Sequence, residues 1–257
     1  MSELRSLNLA GIWDCHAHTE FAFCGDGTSA AGAAARAADL GLAGVCLVEH
    51  APQLYVARED FWAGRHVYEA GSWRRNPDHH RMAAYRQAVS PLRSPRVKIG
   101  LEVELDAAGE LTLLDEDRGW PDLLVGAVHF LHADTATLSD ADITRLFLDT
   151  TEKLLAAGVD ILAHPLRAIA WAKRPVPTDI YPRLVHGLAA AGTAAEINYH
   201  HNAPDAAFFR QCIHAGIKIA FGSDAHTLHA VGNFSQHVAL LQEAAGREDI
   251  LDLLWRP

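Results

Sequence analysis

Residues 13–18 read WDCHAH and place two histidines, His16 and His18, at the end of a short apolar run. Side chains two residues apart on an extended chain point to the same side, so both imidazoles face one point. Two converging neutral imidazoles suit Zn²⁺, Mn²⁺ or Fe²⁺ better than an organic substrate. Because the chain contains 16 histidines, chance pairs are common, and the interpretation depends on metal-competent residues further along the chain.

Beyond this stretch, apolar runs alternate with Ala- and Leu-rich stretches, a pattern typical of βα units. We predict strands over 11–16, 43–49, 97–104, 123–130, 159–163, 194–198 and 217–222. We predict helices over 28–40, 78–90, 139–157, 178–191, 204–215 and 235–245, with Thr28, Ser139 and Thr178 as N-caps. Alternating units imply parallel strands covered by helices. The pattern therefore predicts an α/β fold, a closed or distorted seven-stranded barrel of the TIM-barrel type.

Composition narrows the class of protein. A length of 257 residues fits one barrel, and no Gly-, Ser- or Pro-rich linker divides it, so we expect a single domain over 1–257. The net charge is −10, and a protein that binds long nucleic acid usually carries a basic surface, so long nucleic acid is not an expected partner. We expect neither a secretory signal nor a membrane span. The four cysteines form no CxxC motif, and buried free thiols at Cys15 and Cys46 favour a reducing cytoplasm.

Residues 51–76 form an unusually long connection after the second predicted strand. The segment is rich in aromatic residues and arginines, and we expect a loop without clear secondary structure that hangs over the mouth of the barrel. Its aromatic content argues against disorder. Two interpretations stay open: a lid or substrate-recognition loop, or a loop that packs outside or makes an oligomer contact.

Metal-competent side chains stand where the predicted strands end. The candidate ligands are His16, His18, Asp26, His50, Glu102, His129, His164, Asp224 and His226. Active sites of parallel α/β barrels are built at this C-terminal edge, and the mixture of imidazole and carboxylate suits divalent metals. So many ligands predict two or three ions, with Glu102 as the bridging carboxylate. Glu104 and Glu196 are candidates for supporting roles, and Asp14 for orienting a histidine through a hydrogen bond.

The ordered motifs resemble those of the PHP (polymerase and histidinol phosphatase) family, above all its stand-alone histidinol-phosphatase branch. They are Asp14-Cys-His16-Ala-His18, Cys24-Gly25-Asp26-Gly27, Glu49-His50, Gly100-Leu-Glu102-Val-Glu104, Val128-His129-Phe130, Ala163-His164-Pro165, Glu196-Ile-Asn198 and Gly222-Ser-Asp224-Ala-His226. The resemblance covers about residues 12–230. Asp26 stands where many relatives have His, Glu49 where Asp is usual, and the Tyr-His-His-Asn that follows Asn198 differs from the small and basic residues expected of a histidinol phosphatase.

The resemblance implies a distorted seven-stranded barrel with three metal ions, which we expect to be Zn²⁺, Mn²⁺ or Fe²⁺. It implies one ion held by His16, His18, Glu102 and Asp224. It implies a second ion held by Glu102, His129 and His164. A third would be held by Asp26, His50 and His226.

Such a site suits hydrolysis of a phosphomonoester, with a small phosphorylated metabolite similar to histidinol phosphate as substrate. The expected nucleophile is a metal-bound hydroxide held by Glu102, His18 and Asp224. Candidate substrate contacts are Arg167, Arg58, His200 and His201, with Arg65, Arg74 and Arg75 as alternatives for the phosphate and His132 and His229 near the mouth. The histidines in helical stretches, His79, His80, His186, His214 and His237, are interpreted as surface or hydrogen-bonded core residues.

Other functions fit the same ligands. The alternatives are a phosphatase for a nucleotide, a sugar phosphate or an oligonucleotide end, and a metal-dependent amide or lactone hydrolase. A non-catalytic protein with structural metals is disfavoured, because structural sites are closed by their ligands whereas a barrel mouth leaves positions open to water.

Overall fold

The strands form one seven-stranded parallel sheet in the order of the sequence. The computed structural model describes residues 9–74 and 81–257. The strands are β1 (Trp13–Ala17), β2 (Gly44–His50), β3 (Val97–Val103), β4 (Leu123–Gly126), β5 (Ile161–Leu162), β6 (Ala194–Ile197) and β7 (Ile219–Phe221). Each lies within, or one residue beyond, a predicted strand, so the strand predictions are confirmed. The prediction of one domain over 1–257 stays a prediction.

The first and last strands meet and nearly close the barrel. The His18 N–H donates to the Ala225 carbonyl at 3.1 Å, and the Asp224 N–H donates to the His16 carbonyl at 2.7 Å. The pairing of β1 with β2 shifts register between Asp14 and Ala17, within the two-histidine stretch. Such an irregularity re-aims the side chains it carries. The predicted distorted seven-stranded barrel is confirmed.

Eleven α-helices lie among the described residues. They are α1 (Ala30–Asp39), α2 (Ala51–Tyr55), α3 (Arg58–Trp62), α4 (Arg65–Tyr68), α5 (Met82–Val89), α6 (Asp115–Arg118), α7 (Asp140–Ala156), α8 (Arg167–Trp171), α9 (Tyr181–Ala191), α10 (Ala206–His214) and α11 (Ser235–Ala245). Short 3₁₀ turns occupy Ser72–Arg74, Ser90–Leu92, Thr178–Ile180 and Leu228–Ala230. None of the helices in the described ranges has the length and apolar character needed to cross a bilayer.

Two of the three predicted N-caps need correction. The N-cap of α1 is Ser29, whose hydroxyl accepts the Gly32 N–H; the Thr28 hydroxyl donates instead to the His18 carbonyl at 3.1 Å. Thr178 opens a 3₁₀ turn and does not cap α9. Ser139 caps α7 as predicted, because its side chain accepts the Asp142 N–H. Residues 78–80 of the helix predicted over 78–90 lie outside the described residues.

The connection predicted as an unstructured loop over 51–76 contains three short helices, α2 to α4, and a 3₁₀ turn. Its aromatic residues Tyr55, Phe61 and Trp73 are buried and supply the apolar contacts that fix these helices. The segment is helical although its sequence lacks helical periodicity, because burial of these aromatic side chains stabilises the short helices. Residues 75 and 76 lie outside the described part of the chain.

Two apolar layers position the site. Large side chains on one face of the sheet pack with the helices, whereas Cys15, Cys46, Val48, Val125 and Ala163 belong to a separate cluster of mostly small residues. Both thiols are buried and free, as predicted. Side chains alternate along a strand, so two residues beyond Val48 and four residues beyond Val125 the same faces carry His50 and His129 at the mouth. The apolar cluster thus forms the floor beneath the candidate site.

Candidate metal centre

The two histidines of the opening stretch converge with an aspartate from the far end of the barrel. Ligand atoms of His16, His18 and Asp224 all lie within 4.8 Å of one another, and all three residues are buried. The His18 Nε2 atom lies 3.0 Å from Asp224 Oδ1. The register shift in β1 and the β1–β7 contact bring these groups together, and they form the first of three clusters that could hold a metal ion.

A buried carboxylate orients one of these imidazoles. His16 Nδ1 lies 2.9 Å from Glu196 Oε1, so Nδ1 donates, and in the neutral imidazole Nε2 carries the lone pair. The buried Nε2 atom has no hydrogen-bond partner among the described residues and lies 3.7 Å from Glu102 Oε2. A carboxylate behind a histidine is the usual arrangement at a metal. His16 therefore fits a divalent ion, which would meet the lone pair that the protein leaves unpartnered.

Glu102 lies at the centre of the histidines. Its Oε2 atom lies 2.6 Å from His50 Nδ1, and its Oε1 atom lies 3.3 Å from His129 Nε2 and 3.1 Å from His164 Nε2. His50, Glu102 and His129 form a second cluster with metal-ligand spacing, and His18, His50 and His226 form a third. This position, with histidines on both carboxylate oxygens, supports the bridging role predicted for Glu102.

The electrostatic field of the site favours positive charge. Burial lowers the pKa of His18, but hydrogen bonds with Asp224 and Glu49 raise it overall to about 9. Burial likewise lowers the pKa of His129, whereas Glu102 and Glu104 raise it overall to about 9. The carboxylates thus draw protons onto imidazoles, and a divalent cation satisfies the same field.

The pKa of His226 is shifted in the opposite direction, below its ordinary value. Burial lowers the pKa of its imidazole, and the neighbouring His18 lowers it further, to about 3. His226 is therefore neutral at pH 7, the protonation state in which an imidazole binds a metal.

Backbone strain accompanies two of the predicted ligands. His164 and Asp224 have φ values of 30° and 50°, in the left-handed region that residues other than glycine seldom adopt. Such conformations persist where surrounding contacts hold them, often at functional sites. At Gly222, a Cβ atom would lie 1.8 Å from Glu196 Oε1, so glycine is required where Glu196 approaches β7.

A cavity of about 440 Å³ opens above these clusters. Its lining includes the predicted ligands His50, His129, Asp224 and His226, the predicted substrate contacts Arg167, His200 and His201, and the aromatic residues Phe61, Trp62, Phe130 and Trp171. Arg167 is buried, and its guanidinium donates to Asp224 Oδ2 at 3.0 Å and to the His200 carbonyl at 3.2 Å. These contacts aim a permanent positive charge at the cavity.

Other predicted residues lie elsewhere. The Asp26 carboxylate is exposed and belongs to none of the metal-competent clusters found among the described residues. Arg58 is exposed, with its guanidinium 5.7 Å from the centre of the Phe23 ring, and is not among the residues that line the cavity. Arg65 and Arg74 form exposed ion pairs with Asp60 and Glu110. The Arg75, His79 and His80 predictions lie outside the described residues.

Sequence reasoning missed three residues near the site. Cys24 lies between the imidazoles of His50 and His226. Gln53 and His66, both fully buried, come from the segment predicted as a loop. His66 Nε2 lies 3.1 Å from Glu104 Oε1, while Glu104 Oε2 lies 3.6 Å from His129 Nδ1, so this segment is tied to a predicted ligand. The CGDG motif was visible in the sequence, but the residues around His66 gave no signal of burial.

Together, the fold and the site define a nearly closed (β/α)7 barrel with a candidate multinuclear metal centre at its C-terminal mouth. The sequence model of the PHP domain matches residues 14–200, which is more than half of the chain. The chain belongs to the PHP domain family, as the motifs predicted.

Comparison with solved structures supports the same fold. A crystal structure of a "putative histidinol phosphatase hisK" from Listeria monocytogenes matches with a TM-score of 0.61 over 88% of this chain and 99% of that one. The sequences are 13% identical, so this likeness shows the fold alone. None of the curated proteins compared with the chain matches it.

Proposed function

We propose that this protein is a metal-dependent phosphoesterase that hydrolyses a small phosphomonoester, with histidinol phosphate as the model for its substrate. The observation that carries the proposal is the convergence of three histidine and carboxylate clusters below a cavity into which Arg167 is directed. Membership of the PHP domain family supports the same class of reaction.

Different residues of the chain would bind the metal ions, orient the ligands and bind the phosphoryl group. His16, His18 and Asp224 would hold one ion, and Glu102 with its neighbouring histidines would hold the others. When bound, divalent ions would neutralise charge on the phosphoryl oxygens and make a water nucleophile available near neutral pH. Glu196 fixes the imidazole of His16, and Asp224 together with the His200 carbonyl fixes the guanidinium of Arg167. Arginine binds phosphate oxygens through paired N–H groups, so Arg167 is assigned to the phosphoryl group.

The cavity supports a small substrate. Its volume of about 440 Å³ admits a phosphorylated metabolite, and Trp62 and Trp171 are 57% and 45% exposed at its rim. Exposed aromatic rings next to a polar floor suit a leaving group that is planar or apolar. His200 also lines the cavity, and its pKa is lowered by burial, so a neutral imidazole faces the leaving group at pH 7.

Long nucleic acid is a poor candidate substrate. Among the described residues that line the cavity, Arg167 alone carries a permanent positive charge. The net charge of −10 opposes a polyanion, because such partners depend on many phosphate contacts. A nucleotide or sugar phosphate stays an alternative substrate of the same reaction.

The test compares metal-free protein with protein loaded with Mn²⁺ or Zn²⁺ on a generic aryl phosphate. We expect turnover only in the loaded protein, inhibition by inorganic phosphate, and loss of activity in His16→Ala and Asp224→Ala variants that retain native circular dichroism. Turnover that persists after thorough chelation would contradict the metal requirement. Hydrolysis of amides or lactones without inhibition by phosphate would identify the alternative hydrolase class.

A further inference from the structure

The thiol of Cys24 lies next to His50 and His226, where the resemblance predicts the carboxylate of Asp26. Cys24 is in the loop after β1 and is partly exposed. Its Sγ atom lies 3.1 Å from His226 Nε2 and 3.4 Å from His50 Nε2. Asp26, which the resemblance assigns to an ion with these two histidines, contributes its backbone N–H to the His226 carbonyl and leaves its side chain exposed.

Both imidazoles present lone pairs to the sulfur. His226 Nδ1 lies 2.8 Å from the Asp224 carbonyl, so Nδ1 carries the proton and Nε2 does not. His50 Nδ1 lies 2.6 Å from Glu102 Oε2, so the proton of this imidazole is also on Nδ1, and Nε2 carries the lone pair. A thiol has one proton to share between two lone pairs. Donor atoms that converge without enough protons to link them are typical of a cation site.

The spacing agrees with a shared ion. With bonds of about 2.3 Å to sulfur and about 2.0–2.1 Å to nitrogen, sulfur and nitrogen ligands of one tetrahedral ion lie roughly 3.5 Å apart. The two observed sulfur–nitrogen distances, 3.1 and 3.4 Å, are close to this value. The third metal-competent cluster, His18, His50 and His226, contains both of these histidines, so their ligand atoms already have the spacing of metal ligands.

A buried amide faces the sulfur from the protein side. Gln53 is fully buried, and its Oε1 atom accepts the Phe23 N–H, which fixes the orientation of the amide. Its Nε2 atom then points toward Cys24 Sγ at 3.7 Å. Burial raises the pKa of the Cys24 thiol overall to about 12, while the N–H donor of Gln53 lowers it, so the thiol gives up its proton only to a bound cation.

We propose that Cys24 is a metal ligand that binds one ion through its thiolate together with His50 and His226, in the place that the resemblance gives to Asp26. The proposal rests on the proposed function, because it concerns one ion of that metal centre. As the sulfur–metal bond forms, the S–H bond breaks and the proton passes to solvent. Sulfur is a softer donor than carboxylate, so this position selects Zn²⁺ or Co²⁺ over Mg²⁺ and Mn²⁺.

The test uses the full chain loaded with Co²⁺ and measures the near-ultraviolet charge-transfer band from thiolate to cobalt, with bound cobalt counted by elemental analysis. We expect the band in the wild-type protein and in Asp26→Asn, and its loss in Cys24→Ser. Cys24→Asp replaces the sulfur ligand by a carboxylate ligand, so it should bind cobalt without the band. The ratio of its affinity for Mn²⁺ to its affinity for Zn²⁺ should be about tenfold higher than in the wild type.

Three outcomes would overturn the proposal. Cobalt bound by the wild-type protein without a charge-transfer band would refute the thiolate ligand and leave the proposed function intact. A band that survives in correctly folded Cys24→Ser would assign the thiolate to another cysteine. Failure of the wild-type chain to bind cobalt, zinc or manganese would overturn the proposed function as well.

Discussion

His16 Nδ1 and Glu196 Oε1 lie 2.9 Å apart, although 180 residues separate them in the sequence. Both side chains are fully buried. Glu196 also accepts the His164 N–H at 2.6 Å and an amide N–H of Asn198 at 3.1 Å. One carboxylate therefore orients a side chain on β1 and holds the strained backbone of His164 after β5, so it supports two residues of the candidate metal centre.

Replacing this carboxylate should weaken metal binding. In Glu196→Gln the amide is a weaker acceptor for His16 Nδ1–H, so the orientation and basicity of the imidazole are reduced. We expect metal affinity to fall about 10–100-fold, as measured by competition with a chelator of known affinity. Glu248→Gln, at an exposed position after α11, is the matched control and should bind metal like the wild type.

Arg167 should bind the phosphoryl group of the substrate. Its guanidinium faces the cavity and is held by Asp224 and the His200 carbonyl. Arg167→Met removes the donor assigned to the phosphoryl oxygens, and we expect kcat to fall about 10²–10³-fold. Inhibition by inorganic phosphate should weaken in parallel. Exposed Arg210→Met is the control; equal loss of activity in both variants would indicate a general effect of charge.

Much of this architecture follows from the sequence. The seven parallel strands, the barrel and the gathering of ligand-type residues at its mouth were predictable, because those residues follow apolar runs at one edge of a parallel sheet. The assignment of Asp26 to an ion stays a prediction, because motif spacing does not fix which side chain of a short loop turns inward. In the CGDG motif the structure turns Cys24 toward the histidines and exposes the Asp26 carboxylate.

The helices of the connection over residues 51–76 could not be predicted from the sequence, for a different reason. Helices α2 to α4 are each four or five residues long, too short for hydrophobic periodicity to reveal. They form because tertiary burial of residues such as Phe61 and Trp73 outweighs local preference. The contact between His66 and Glu104 depends on that packing, so no local pattern could predict it.

Trp171 should contribute to recognition of the leaving group. Its ring is 45% exposed at the rim of the cavity, with the Arg167 guanidinium 4.8 Å from its centre. For Trp171→Ala we expect KM for an aryl phosphate to rise about 2–10-fold, the range of one aromatic contact. KM for a small alkyl phosphate should change less. Leu251→Ala, an exposed apolar residue outside the cavity lining, is the control. An equal change for both substrates would argue against ring contact.

Asp106 should make stability depend on pH in the acid range. Burial raises the pKa of this carboxyl, but N–H donors from Gly71, Glu110 and Trp73 lower it overall below its ordinary value of 3.8. The unfolded chain therefore binds the proton more readily than the folded chain, and the stabilisation is complete above the unfolded pKa. It is lost as pH falls through the lower folded pKa.

The corresponding variant is Asp106→Asn, which keeps the size of the side chain and removes its charge. We expect a loss of about 1.5–3 kcal/mol in the free energy of unfolding above pH about 5, the range for hydrogen bonds to a charged group. The difference from wild type should shrink as pH falls below about 4, because the wild-type carboxyl then takes up its proton. Urea unfolding across this range measures it, with exposed Asp39→Asn as the control. A difference that stays constant from neutral to acid pH would show that the carboxylate charge does not hold Gly71 and Trp73 in place.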